Sequence, residues 1–271
     1  MRAGVACGPV VAVLALTAAS GCEYADPLEL HPDVVTLEVL LITGESEARM
    51  LAIHSHRAPG DGGVPEVSAH LAGPGWEAEF SETPELDVCT PVDDLPGTPK
   101  CLRAALPEPV RAGVTYGLSG TAPLGSFTGE ARVPDPPLML TDTLRLAGRK
   151  YGERLPIRLR YRAGPDIGLL PLDVRNVFET LEDGTEVELD YTYLGIGLRE
   201  VDPADTAFTV WMIDREKTVR FSLTLLGMGW HYRNFWYDGI RPWPSSGIEG
   251  DGVYGYFDGV TRSRATQVLV R

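Results

Sequence analysis

The chain has 271 residues, a net charge of −14, 44% hydrophobic residues and 23% charged residues. So acidic a balance excludes nucleic acid as a partner, because phosphate binding needs a basic surface, and it disfavours adsorption to anionic lipid head groups. The 30 glycines and 22 prolines favour many short strands over long helices.

Met1 and Arg2 make a positive start, and an apolar run from Val10 to Ala19 follows that is too short to span a bilayer. Ala19-Ser20-Gly21 then precede Cys22. This is the pattern of a bacterial lipoprotein signal. Residues 1–21 are expected to be removed, Cys22 to become the acylated first residue, and residues 22–32 to form a tether. The competing reading is an ordinary secretory peptide that leaves Cys22 as a free thiol, an awkward residue in a secreted protein. One acyl chain holds a membrane only marginally, whereas a cysteine carrying a diacylglycerol is firmly anchored. After cleavage about 250 residues remain, enough for one large or two ordinary domains.

Strand patterns begin at once. Val34 to Thr43 is almost continuously apolar, as in a strand covered on both faces. Met50 to His56 follows the Gly44-Glu45-Ser46-Glu47 turn. Val67, Ala69 and Leu71 alternate with polar residues, and so do Trp76, Ala78 and Phe80. Cys101–Leu106, Thr115–Ala122 and Ser126–Val133 complete about seven strands, the spacing of an immunoglobulin-like β-sandwich over 33–135. Cys89 and Cys101 bracket a loop with three prolines. An oxidising compartment favours pairing them, and closing such a loop contributes about 3 kcal/mol. No histidine or third cysteine lies near enough in sequence to support a metal site there instead.

Pro134-Asp135-Pro136-Pro137 reads as the domain boundary, with a second β-rich domain containing little helix over 136–271. Leu155 to Tyr161 alternates with Pro156, Arg158, Arg160 and Arg162. Val187, Leu189, Tyr191 and Tyr193 alternate with Glu186, Glu188 and Asp190. If these are neighbouring strands, the basic and acidic stripes pair across the sheet. The functional alternative makes Arg158, Arg160 and Arg162 an anion site. Val174, Val177, Phe178 and Leu181 have helical spacing, although Asp183-Gly184 equally fits a hairpin turn. Val219 to Leu225 is another strand, and the last segment reads as two strands around Asp258-Gly259.

Candidate chemistry is sparse. His54 and His56 share a strand face at a spacing that holds zinc, but neither His70 nor any carboxylate can be assigned as a third ligand, so no metal and no cofactor is expected. Trp230, Tyr232, Phe235, Trp236, Tyr237 and Trp243 crowd together. Exposed, such rings stack on sugars or anchor a protein partner; buried, they are core. No nucleophile elbow, zinc-protease helix, phosphate loop or Ser-x-x-Lys motif is present, and the expectation is a protein without catalytic residues.

Three stretches carry a family resemblance: Val34-Val35-Thr36-Leu37-Glu38-Val39 after the lipidation signal, Gly113-Val114-Thr115-Tyr116-Gly117-Leu118, and the closing Gly250-Asp251-Gly252-Val253-Tyr254-Gly255-Tyr256-Phe257. The chain resembles the bacterial lipoproteins of the domain of unknown function family 4249. That resemblance implies a membrane-anchored protein of the cell envelope, associated with an outer-membrane transporter of an uptake system. It carries over no functional residue. A glycan-binding module built on the C-terminal aromatics is the second expectation.

Overall fold

In the computed structural model the described residues are 33–54, 65–84, 89, 99–146, 155–181, 183–189, 207–210, 218–237 and 246–270. Eight strands come first: β1 (Val35–Ile42), β2 (Glu47–His54), β3 (Ser68–Gly73), β4 (Trp76–Glu79), β5 (Ser81–Thr83), β6 (Lys100–Ala105), β7 (Thr115–Ala122) and β8 (Gly125–Arg132). They sort into two layers, β5-β6-β2-β1 and β4-β3-β7-β8. Lettered in chain order, these are the D-E-B-A and C′-C-F-G sheets of an immunoglobulin-like sandwich. The apolar alternation read from the sequence explains the layering. Leu37, Val39, Leu41, Met50, Leu71, Leu102, Leu118 and Phe127 point between the sheets and are buried, each stabilising the fold by roughly 1.5–3 kcal/mol. Tyr116, near the start of β7, is also buried, and its hydroxyl accepts a hydrogen bond from the Arg111 amide at 2.9 Å. This is the tyrosine corner of such sandwiches. Cys89, in the β5–β6 connection, and Cys101, in β6, form a disulfide with a Cα–Cα distance of 5.7 Å.

The second half repeats the scheme. Its elements are β9 (Leu138–Met139), β10 (Thr143–Leu146), β11 (Leu155–Arg158), β12 (Tyr161–Arg162), β13 (Leu172–Thr180), β14 (Glu186–Leu189), β15 (Ala207–Val210), β16 (Thr218–Met228), α1 (Trp230–Tyr237), β17 (Ile248–Gly250), β18 (Val253–Arg262) and β19 (Thr266–Val270). The antiparallel pair β11/β15 forms a separate small sheet. The pair β9/β12 faces a sheet that runs β14-β13-β16-β19-β10, with β10 parallel to β19. Met139, Leu159, Tyr161, Phe221, Leu223 and Val268 fill the space between.

The chain between β16 and β19 leaves the second sandwich and completes the first. β17 pairs with β8, and β18 lies parallel to β1 over its whole length, from Val35↔Val253 to Ile42↔Val260. Ile248, Val253 and Phe257 are members of the first core. The far end of β18 pairs with β16, so one sheet is continuous through both sandwiches. The expected division into 33–135 and 136–271 therefore needs correction: the break at 134–137 is real as the end of β8, but residues 246–262 return across it.

Three other expectations are overturned. Residues 174–180 are strand, not helix, and Leu181 begins the turn that follows. Asn176 adopts φ 51° at a bulge where the β13/β16 register shifts, and the extra residue lets Val174 and Val177, three apart, reach the same core. The Asp183-Gly184 hairpin reading holds: Gly184 has φ 85° and Leu181 donates to the Thr185 carbonyl. Asp258-Gly259 is no turn, since β18 runs straight through it and the chain reverses at 263–265. The basic and acidic stripes are not partners. β14 pairs with β13, and Glu186 takes Arg220 at 3.0 Å. Arg158 and Arg162 fall on different short strands, because the ladder breaks at 159–160.

Gly255 permits the parallel pairing. Its φ is 121°, and an added Cβ would sit 1.8 Å from the Leu37 carbonyl oxygen. Gly255→Ala is expected to cost about 3 kcal/mol or more in urea unfolding, with both sandwiches losing structure in one transition. Tyr116→Phe is expected to cost about 1–2 kcal/mol, because the Arg111 amide loses its acceptor; thermal denaturation reads both.

Candidate functional site

The helix α1 sits where the two sandwiches meet, packed on β18. It has no local N-cap, since Gly229 precedes it, yet its first amides need acceptors. Asp258 supplies them from the middle of β18. One carboxylate oxygen accepts from the Tyr232 amide at 2.7 Å and the other from the Gly259 amide at 2.7 Å. A Cβ on Gly229 would meet that carboxylate at 1.9 Å, so only glycine leaves room for this cap. Burial dominates the electrostatics and pushes Asp258 up from 3.8 to about 6, against the lowering pull of the Tyr232 and Gly259 amides and of His231. On the adjoining outer face of β1, burial raises Glu38, which accepts a hydrogen bond from the Tyr256 hydroxyl at 3.4 Å. Burial and the neighbouring Glu38 also push the Tyr256 phenol upward.

His231 Nδ1 lies 3.3 Å from Ser246 Oγ, with Asp258 nearby. Both Asp258 oxygens are committed to backbone amides, Ser246 is 5% exposed and Asp258 is 1% exposed, so the contacts of this trio cap the helix and hold it to residue 246. Sequence reading missed this cluster because its members come from α1, residue 246 and β18. The glycine at 229 was its one local signal.

The aromatics divide between the two roles left open by the sequence. Tyr232 stands edge-on to Tyr256 at 5.1 Å, and Phe235, buried, lies 5.3 Å from the same ring. Trp230 is 46% exposed. Its Nε1 donates to the Pro165 carbonyl at 3.0 Å, and the Arg233 guanidinium stands 5.0 Å over its ring. Gly168 packs directly against it, for a Cβ there would fall 3.1 Å from the indole. Trp236 lies in α1, and Trp243 lies outside the described residues, as do Cys22 and His56.

Beside Trp230 is a hollow of about 360 Å³ lined by residues 163–165 and 167–170. Asp166, in the same segment, pairs with Arg132 of β8 at 3.0 Å, tying this loop to the first sandwich. None of the lining residues has a titratable side chain. The hollow can hold an apolar group but offers nothing to react with it. Arg160 and Arg162 are exposed, and Arg158 lies in β11. His54 is buried at the end of β2, and His70 faces Glu77 at 3.8 Å on the other sheet. Among the described residues no group of three His, Cys, Asp or Glu side chains is arranged to hold a metal, and no helix is long and apolar enough to cross a membrane.

No protein-family model and no curated protein matches the chain. Solved structures resemble it only distantly. The N-terminal Ig1-2 module of the Drosophila receptor protein tyrosine phosphatase DLAR is 14% identical, with 89% of this chain and 100% of that one covered and a TM-score of 0.29. The three N-terminal domains of the bacteriophage RB49 outer capsid protein Hoc are 8% identical, with 88% and 71% covered and a TM-score of 0.27. The titin Ig tandem A164-A165 is 9% identical, with 88% and 97% covered and a TM-score of 0.21. The chain is a mainly-β protein of immunoglobulin-like sandwiches, and that assignment rests on its strand order.

Asp258 gives a pH signature. Its proton is held more tightly in the folded than in the unfolded chain, so its contribution is greatest below pH 3.8, falls as pH rises to about 6, and is constant above that. The stability difference between the wild type and Asp258→Asn is expected to shrink by on the order of 3 kcal/mol across that window, measured by urea unfolding at several pH values. A pH-independent difference contradicts it.

Proposed function

We propose that this chain is a lipid-anchored protein of the cell envelope. Acylated at Cys22, it presents two joined sandwiches as a non-catalytic binding or accessory module beside an outer-membrane transporter. The observation that carries the binding role is the hollow at the junction: it is concave and apolar, flanked by an exposed tryptophan, and lined by no titratable side chain. Such a site suits recognition rather than bond-making. The envelope placement rests on Ala19-Ser20-Gly21-Cys22 and on the resemblance to the domain of unknown function family 4249.

The glycan reading has one observation in its favour, the exposure of Trp230. Against it, the indole N–H is already bonded to Pro165, and Gly168 and Arg233 stand against the ring. A sugar would have to displace Arg233 to stack.

Cys22→Ser is expected to move the protein from the membrane pellet to the soluble fraction on cell fractionation. Retention of the variant in the pellet contradicts the anchor.

A further inference from the structure

A chain of net charge −14 has carboxylates to spare for its cations, and most of its described arginines have one. Arg49 and Arg103 take Glu47, Arg111 takes Glu108, Arg132 takes Asp166, Arg175 takes Asp173, Arg220 takes Glu186 and Arg264 takes Asp142. Arg145, Arg160, Arg162 and Arg262 do not, and of these Arg160 and Arg162 stand two residues apart at one strand pair. Both are exposed, and among the described residues neither guanidinium has a carboxylate partner.

The β9/β12 register sets two leucines beside them. Arg162 lies opposite Leu138, and Tyr161 lies opposite Met139. Leu140 donates its amide to the Arg160 carbonyl at 2.7 Å, which continues the same ladder. Residues opposite one another project from one face. Met139 and Tyr161 therefore point into the core together, while Leu138, Leu140, Arg160 and Arg162 point out together. Leu138 is 48% exposed and Leu140 is 40% exposed, a high exposure for large apolar side chains. The backbone here is already engaged. The Met139 carbonyl accepts from Arg264 Nε, and the Thr141 carbonyl accepts from the Thr266 hydroxyl. What the four side chains offer is an outward face of this two-stranded sheet.

We propose that the Leu138/Leu140/Arg160/Arg162 face docks an acidic protein segment in which carboxylates alternate with apolar side chains. Alternate residues of a strand are about 7 Å apart, so an extended partner with the same alternation matches both the charges and the leucines. Arginine is enriched at protein interfaces, and the two exposed leucines add apolar area that a partner can cover. The net charge of −14 repels an extended anionic bilayer, whereas a short segment within a Debye length of about 8 Å senses the local arginines. The proposal goes beyond the binding role given above, because none of these four residues lines the hollow beside Trp230, and it does not depend on the anchor.

Fluorescence anisotropy of the full chain with labelled short peptides tests it, using Asp-Leu, Asn-Leu and Lys-Leu alternating sequences, with phosphatidylglycerol vesicles as a separate arm. The acidic protein should bind the Asp-Leu peptide about tenfold or more tightly than the Asn-Leu peptide, despite its own charge. That affinity should fall about tenfold in Arg160→Glu/Arg162→Glu and again in Leu138→Ser/Leu140→Ser. All four side chains are exposed, so thermal unfolding should match the wild type. Equal binding of the Asp-Leu and Asn-Leu peptides, no binding, or unchanged affinity in both variants overturns the proposal. Vesicle binding that the arginine variant abolishes also overturns it, by assigning the face to lipid. Cys22→Ser should leave the peptide result untouched, so loss of the anchor and loss of this surface are read separately.

Discussion

The parallel pairing of β1 with β18 holds the molecule together as one object. An immunoglobulin-like sandwich ordinarily closes with strands of its own, and here the first one borrows two. β18 lies along β1, and β17 lies along β8, so the borrowed segment covers the edge of each layer. The Ser246 amide donates to the Gly255 carbonyl and the Phe257 amide to the Ser246 carbonyl, which stitches the two borrowed stretches to each other. Exposed strand edges invite pairing with other chains, and this arrangement covers those of β1 and β8. It also gives the pair of sandwiches a shared sheet in place of a linker, so bending between them would break backbone hydrogen bonds.

Packing of α1 follows from the same constraint. Because β18 lies along β1, its Asp258 reaches the helix start, and its Tyr256 reaches Glu38 on one side and Tyr232 and Phe235 on the other. Leu40 of β1 packs outward with Met228, Val260 and Tyr232, which explains why β1 is apolar on both faces. The buried acid is the cost of this cap. Burial raises its pKa, and the glycines at 229 and 255 mark where a carboxylate and a backbone carbonyl come too close for any Cβ.

Much of the layering was legible in the sequence, because alternation reports which face of a strand is buried. Val67, Ala69 and Leu71 point inward as their spacing requires, and Cys89 and Cys101, read as a pair from the sequence, are joined. Three kinds of fact were not legible. The bulge at Asn176 shifted the phase of β13 and counterfeited a helical period. The pairing of strands far apart in the chain, β1 with β18 above all, leaves no mark in local pattern. The role of Asp258 is set by a helix 26 residues away, so a dipeptide that resembles a turn is in fact a strand interior carrying a cap. The arginine series was visible, but its meaning depended on the break at 159–160. That break leaves Arg160 and Arg162 beside two leucines instead of opposite the acidic strand.

The return of residues 246–262 to the first sandwich has a consequence for how the protein is made. Domains ordinarily fold in the order in which they emerge from the ribosome. Here the N-terminal core lacks Ile248, Val253 and Phe257 until β9 to β16 and α1 have already been made. The nascent chain therefore cannot finish its opening module first. Closure of the first core is withheld by the topology itself, and it follows most of the second sandwich's strands instead of preceding them.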